Sequence, residues 1–278
     1  MTESATTAFV LGGGGRWGAV EVGMLRALDE AGIKPDLVLG TSIGAFNGSV
    51  IADLPGAVGV ARLAELWIEI AEADVLQGSR VDRFRKAITL KPALHDTSEM
   101  RRLLGHVHSG DRQIEDLQTR FQCVAASIER AAEHWFIEGP LIEALLASSA
   151  IPALFPPVEI GGEHFYDGGL VNSVPLARAV ELGASTIYVL QVGRVESQLR
   201  PPRRLYEAAL ISFEIARRHR FTTAVDNLPH GIDLHLLPSG NPVAFDDSRQ
   251  LRWRDVSSTN QLIEGAYRAS TDYLGARA

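Results

Sequence analysis

Ser42 stands at the centre of Gly40-Thr41-Ser42-Ile43-Gly44. In this G-x-S-x-G pattern, glycines two residues to either side let a strand turn sharply into a helix and present the serine at the bend. The apolar run Leu37-Val38-Leu39 precedes it and a small-residue segment, Ala45 to Ala52, follows it. The start of that helix would stabilise negative charge developing at the bend. The chemistry this points to is nucleophilic attack in acyl transfer.

Such a serine needs an anion site and a base. Gly12 to Gly15 lie at the end of the apolar run Ala8 to Leu11 and before a helical pattern, so their backbone N–H groups can converge on an anion without obstruction. In a parallel sheet ligands gather at the carboxyl ends of strands, which puts Gly15 and Ser42 on one edge. Gly13, Gly15 and Gly18 also fit the dinucleotide pattern G-x-G-x-x-G. That fold wants an acidic residue ending its second strand, whereas Asp36 precedes this strand and Gly40-Thr41-Ser42 ends it.

The base is less obvious. A conventional α/β-hydrolase places several strands before its elbow, and here one strand and one helix precede the nucleophile strand. None of the eight histidines stands in an evident catalytic loop: His164 falls in a hairpin, His219 in the basic run Arg217 to Arg220, and His106 and His108 in a charged stretch. They read as surface or structural residues. Asp167-Gly168-Gly169 offers a carboxylate at a strand end. Its reference pKa of about 3.9 makes it a weak base that burial would strengthen. The plain alternative for the same tripeptide is an ordinary turn aspartate.

The elements that would hold these residues follow from periodicity. Strand Ala8 to Leu11, a helix through Val22, Leu25 and Leu28 closed by Gly32, strand Leu37 to Leu39 and helix Ala45 to Ala52 make a β-α-β-α unit, hence a parallel sheet under helices. Residues 57 to 73 repeat apolar positions at helical spacing. Further on come strand Phe121 to Ala126, helix Leu141 to Ala150, and hairpin Val158 to Asp167 turning at Gly161-Gly162. Pro175 opens a helix ended by Gly183. Strands Ile187 to Val192 and Asp233 to Leu237 and a helix around Asn260 to Leu274 complete the chain. The expected fold is α/β, a mostly parallel central sheet with helices on both faces. It forms one domain over 1-278, with its core at about 8-275 and a charged insertion at about 78-120 that caps the site or is simply solvated.

Composition narrows the function classes. Forty-six per cent hydrophobic residues with 26 glycines and 13 prolines describe a globular chain rich in tight turns. A net charge of −7 argues against a dedicated nucleic-acid binder. The single cysteine, Cys123, lies in an apolar run and reads as a buried thiol. Met1 to Thr7 has no secretory pattern, and Leu141 to Ile160 is interrupted by Glu and Pro, so the expectation is a cytoplasmic protein whose membrane contact is peripheral. No HExxH, EF-hand or CxxC spacing occurs, and neither a metal nor another cofactor is expected.

Three separated motifs, Gly12 to Gly18, Gly40 to Gly44 and Asp167 to Gly169, together resemble the patatin-like phospholipase family in order and spacing. Ala147-Ser148-Ser149-Ala150-Ile151-Pro152-Ala153-Leu154-Phe155-Pro156-Pro157 is similar to the block that precedes the family's aspartate. The resemblance runs from about Phe9 to Val192 and implies a three-layer patatin-like architecture. It further implies a serine-aspartate dyad without histidine, Ser42 as nucleophile and Asp167 as base. The backbone N–H groups of Gly13, Gly14, Gly15 and Arg16 then form the oxyanion hole, and the substrates are fatty-acyl esters of phospholipids, lysophospholipids or related lipids. One departure is visible. The family often has a basic residue directly before the glycine matching Gly18, and here Trp17 holds that place with Arg16 before it. Trp17 lines the acyl pocket or packs the helix start. Arg80 to Lys91 and Arg200 to Arg204 are the basic segments available for membrane docking. A lipid or acyl-chain carrier on the same scaffold is the non-catalytic alternative.

Overall fold

Side-chain alternation decides how the sheet is covered. Strand β1 (Thr7–Leu11) sends Ala8 and Val10 into one apolar cluster and Phe9 and Leu11 into another, all buried, as a strand clad on both faces requires. In the computed structural model, which describes residues 6–73, 97–192, 198–202, 205–240 and 256–277, β1 lies between β2 (Leu37–Thr41) and β7 (Thr186–Leu190), parallel to both. Strand β8 (Asp233–Leu237) extends the parallel run beyond β7, and β3 (Arg120–Ser127) extends it beyond β2. Beyond that the sheet is antiparallel: β4 (Ala132–Phe136) and β6 (Glu163–Asp167) both pair with β3, and β5 (Val158–Ile160) pairs with β6.

Helices cover both faces, which gives the three layers expected. On the Phe9 side lie α1 (Ala19–Glu30), α2 (Ile43–Asp53), α3 (Ala57–Ala73), α5 (Leu141–Ser148) and α8 (Val256–Gly275), with α4 (Ser98–Val107) packed on α5. On the Val10 side lie α6 (Leu176–Glu181) and α7 (Leu205–Asp226). No helix among the described residues is long and apolar enough to cross a membrane.

One feature of the register places the site. Cys123 and Val124 pair with β2 and also with β4, so these two strands flank β3 on opposite edges; Ala125 to Ser127 pair with β4 and β6. Strands β2 and β6 therefore share one edge of β3 and meet end to end. Thr41, the last residue of β2, is opposite Val124, and Asp167, the last of β6, is opposite Ala125.

Two elements carry no advance signal in the sequence. The β3–β4 connection passes through Ile128-Glu129-Arg130-Ala131 and puts Ala131 at φ +49 without a glycine or asparagine to mark the turn. Helix α7 spreads its apolar residues around its axis and shows no helical period. Helix α8 starts at Val256, earlier than its pattern suggests, and β7 ends at Leu190, short of Val192. Of the charged insertion, residues 78–96, with the basic cluster Arg80 to Lys91, lie outside the described residues; so do Arg203 and Arg204.

Candidate active site

The elbow forms because β2 must reverse into α2 within one residue. Ser42 takes that bend itself, at φ +55 and ψ −122, a conformation that costs an L-residue on the order of 1–3 kcal/mol. The flanking glycines supply room. A Cβ on Gly40 would come within 2.4 Å of Ala45 Cα, and one on Gly44 within 2.4 Å of the Leu11 carbonyl oxygen. The bend is pinned by Ser148, whose Oγ accepts the Ser42 N–H at 2.9 Å and whose hydroxyl donates to the Val124 carbonyl at 2.7 Å. Ser148 lies in the Ala147 to Pro157 block, but the sequence alone indicates no role for it.

The end-to-end meeting of β2 and β6 brings Ser42 to Asp167. The Ser42 hydroxyl donates to Asp167 Oδ2 at 2.6 Å. Asp167 Oδ1 accepts the Gly169 N–H at 2.7 Å, and the Asp167 N–H donates to the Ala150 carbonyl at 2.9 Å. These bonds fix the carboxylate at both ends. Burial pushes the Asp167 carboxyl up to about 6, against the hydrogen bonds from Ser42 and Gly169 and the charge of Arg217, all of which lower it. At neutral pH it is mostly ionised and a far better proton acceptor than a free aspartate.

The glycine run borders the same edge. A Cβ on Gly13 would lie 3.5 Å from Ser42 Cβ. Gly12 gives its N–H to the Leu190 carbonyl at 2.9 Å, and Gly13 gives its own to the Ser173 carbonyl at 2.8 Å. This corrects the place of Gly13 in the candidate set: its amide is engaged in holding the loop. Gly15, at φ +59, opens a 3₁₀ turn, Gly15–Gly18, closed by the Trp17 N–H on the Gly14 carbonyl. The amides at the start of such a turn have no acceptor within it. The Arg16 side chain is buried and turned away to α8, where it donates to Ser258 Oγ at 2.7 Å. Trp17 is buried in the core beside it, which favours packing over lining a pocket.

Residues 9–180 match the family model described as patatin-like phospholipase. The chain belongs to this family. Ser42, Asp167 and the glycine run all fall inside the matched region, whereas α7, β8 and α8 lie beyond it. The chain is 32% identical over 199 residues to a protein named lysophospholipase nte1 from Aspergillus terreus, covering 69% of this chain and 12% of that protein. It is 33% identical over 195 residues to the one from Emericella nidulans, covering 67% and 12%. The chain thus spans only about 12% of the length of these relatives. The crystal structure of VipD from Legionella pneumophila superposes with a TM-score of 0.48 at 14% identity, over 98% of this chain and 67% of VipD.

The patatin-like chain also contains a hydroxyl–imidazole–carboxylate array away from the elbow. His108 Nε2 lies 3.0 Å from Ser49 Oγ, and His108 Nδ1 lies 3.2 Å from Asp53 Oδ2, with Arg112 paired to the same carboxylate. Ser49 sits inside α2, fully buried, and its hydroxyl is also 2.8 Å from the Phe46 carbonyl. Burial lowers the His108 pKa more than Asp53 raises it. His164, by contrast, is only half-buried and paired to Glu129. A cavity of about 540 Å³ between the ends of α1 and α8, lined by Tyr188 and His235, contains neither Ser42 nor Asp167.

Proposed function

We propose that this chain is a serine acyl hydrolase that cleaves fatty-acyl esters of lysophospholipids or phospholipids, with Ser42 as nucleophile and Asp167 as base. The 2.6 Å hydrogen bond from a strained Ser42 to a buried carboxylate carries the reading. Membership of the patatin-like phospholipase family, and relatives named lysophospholipases, support the substrate class.

Asp167 accepts the Ser42 proton as Oγ bonds to the ester carbonyl carbon and the carbonyl π pair moves onto oxygen. The N–H groups of Gly14, Gly15 and Arg16 receive that oxyanion, where each well-aimed donor contributes roughly 3–4 kcal/mol. Collapse re-forms the carbonyl and breaks the bond to the alcohol, which leaves with the proton held on Asp167. In the second half Asp167 takes a proton from water, hydroxide attacks the acyl-enzyme, and Ser42 departs with that proton. The strain at Ser42 helps by presenting Oγ at the mouth of α2, whose amides face the developing charge.

The test is turnover of lysophosphatidylcholine and p-nitrophenyl butyrate by the wild type and by folded Ser42→Ala and Asp167→Asn. Either substitution should lower kcat by about 10³-fold or more. Equal turnover by wild type and Ser42→Ala would remove the proposal.

A further inference from the structure

Both backbone polar groups of Gly13 are held, and the grip on its carbonyl, part of the Gly13–Gly14 peptide, comes from outside the region that matches the family. The Gly13 N–H is held by the Ser173 carbonyl at 2.8 Å, while its carbonyl accepts from Arg217 Nη1 at 3.0 Å; the same Nη1 donates to Ser173 Oγ at 2.9 Å. Arg217 belongs to α7, beyond the matched residues 9–180, and its side chain is only 7% exposed. Glu214, one turn earlier on the same helix and 3% exposed, pairs with it at 3.3 Å. A buried, paired guanidinium that spends donors on a backbone carbonyl is costly to place unless the geometry it imposes is used.

The peptide bond is planar and trans, so the Gly13 carbonyl and the Gly14 N–H point in opposite directions. Whatever fixes the carbonyl also aims the amide. We propose that Arg217 is a positioning residue: by pulling the Gly13 carbonyl back toward α7 it turns the Gly14 N–H toward the oxyanion formed at Ser42. Gly13 adjoins Ser42, so a small rotation of this peptide moves the donor relative to the reacting carbon. The inference rests on the acyl-hydrolase reading and adds to it that the C-terminal third of the chain helps to build the oxyanion hole.

A second effect follows from the same placement. Among the described residues Arg217 is the charged group that acts on Asp167 across space and lowers its pKa, with Glu214 and Arg218 as its charged neighbours on α7. A residue that merely glued α7 to the body would change stability alone. A positioning residue changes kcat and the acid limb of the pH profile as well.

The experiment compares wild type with Arg217→Met and Arg217→Lys on p-nitrophenyl butyrate across pH, with a thermal melt of each. Arg217→Met should lower kcat about 10- to 100-fold, less than outright loss of a donor. It should leave KM within about twofold and move the acid limb of kcat/KM to higher pH. Arg217→Lys, which keeps the charge, should return the limb toward its wild-type position and part of kcat; if Arg217→Met does not fold, this variant carries the test through its kcat. A folded Arg217→Met with wild-type kcat and an unmoved limb, or a rise in KM alone, overturns the inference and leaves the dyad standing. A wild type without turnover overturns the dyad reading itself, and this inference with it.

Discussion

Ser42 and Ser49 stand at the start and in the middle of one helix, both buried, Ser42 bonded directly to Asp167 and Ser49 linked to Asp53 through His108. By residue type Ser49, with His108 and Asp53, looks the more conventional nucleophile. Its surroundings say otherwise. Ser49 sits in regular helix beside a backbone carbonyl, with no accessible surface, and its imidazole is made less basic by burial. Ser42 occupies a strained bend next to a glycine loop, with a carboxylate made more basic by the same physical effect. Burial weakens a base that becomes cationic on protonation and strengthens one that becomes neutral. It therefore favours aspartate over histidine as base here.

Substitutions at the two serines and their bases should separate the two arrays most widely. Ser42→Ala or Asp167→Asn should cost at least about 10³-fold in kcat, while Ser49→Ala and His108→Gln should remain within about threefold of the wild type. An inactive but folded His108→Gln, assayed on the same ester, would transfer the nucleophile's base to the second array.

The pH profile separates the two bases further. Asp167 must be ionised to accept a proton, and burial lifts it to about 6, so kcat/KM should fall about tenfold per pH unit below about pH 6. His108→Gln should leave this limb in place. A limb that moves with His108 would mean that the imidazole is the base.

Smaller effects separate support from chemistry. Ser148→Ala removes the acceptor of the Ser42 N–H and should lower kcat by roughly tenfold, the equivalent of about 1.4 kcal/mol, with KM little changed. His108→Ala strips partners from Ser49 and Asp53 and should cost about 1–3 kcal/mol of unfolding free energy in urea while kcat stays near the wild type.

What was legible in the sequence was whatever must be solved locally. The elbow shows because two backbone approaches at 2.4 Å admit only glycine, and the glycine loop shows in part because a Cβ on Gly14 would come within 2.3 Å of the Val192 side chain and Gly15 sits at φ +59. The meeting of Ser42 with Asp167 was available through the family resemblance alone. Physically it depends on the register of β3, whose Val124 and Ala125 take the ends of two different strands. The array of Ser49, His108 and Asp53 was invisible for the same reason, since α2 and the segment after α4 meet only in the folded chain. Gly13 reads as a donor in the sequence because backbone bonds such as the one to the Ser173 carbonyl leave no mark on residue types. Arg217 read as part of a basic run because α7 carries no helical period to show which of its arginines turns inward.

Ser42, and not Ser49, should be the reactive hydroxyl. Treating the folded chain with a fluorophosphonate and mapping the adduct by peptide mass spectrometry tests which serine reacts. A single adduct is expected on the peptide containing Ser42, lost in Ser42→Ala and retained in Ser49→Ala and His108→Gln. An adduct on Ser49, or labelling that survives Ser42→Ala, would contradict that assignment.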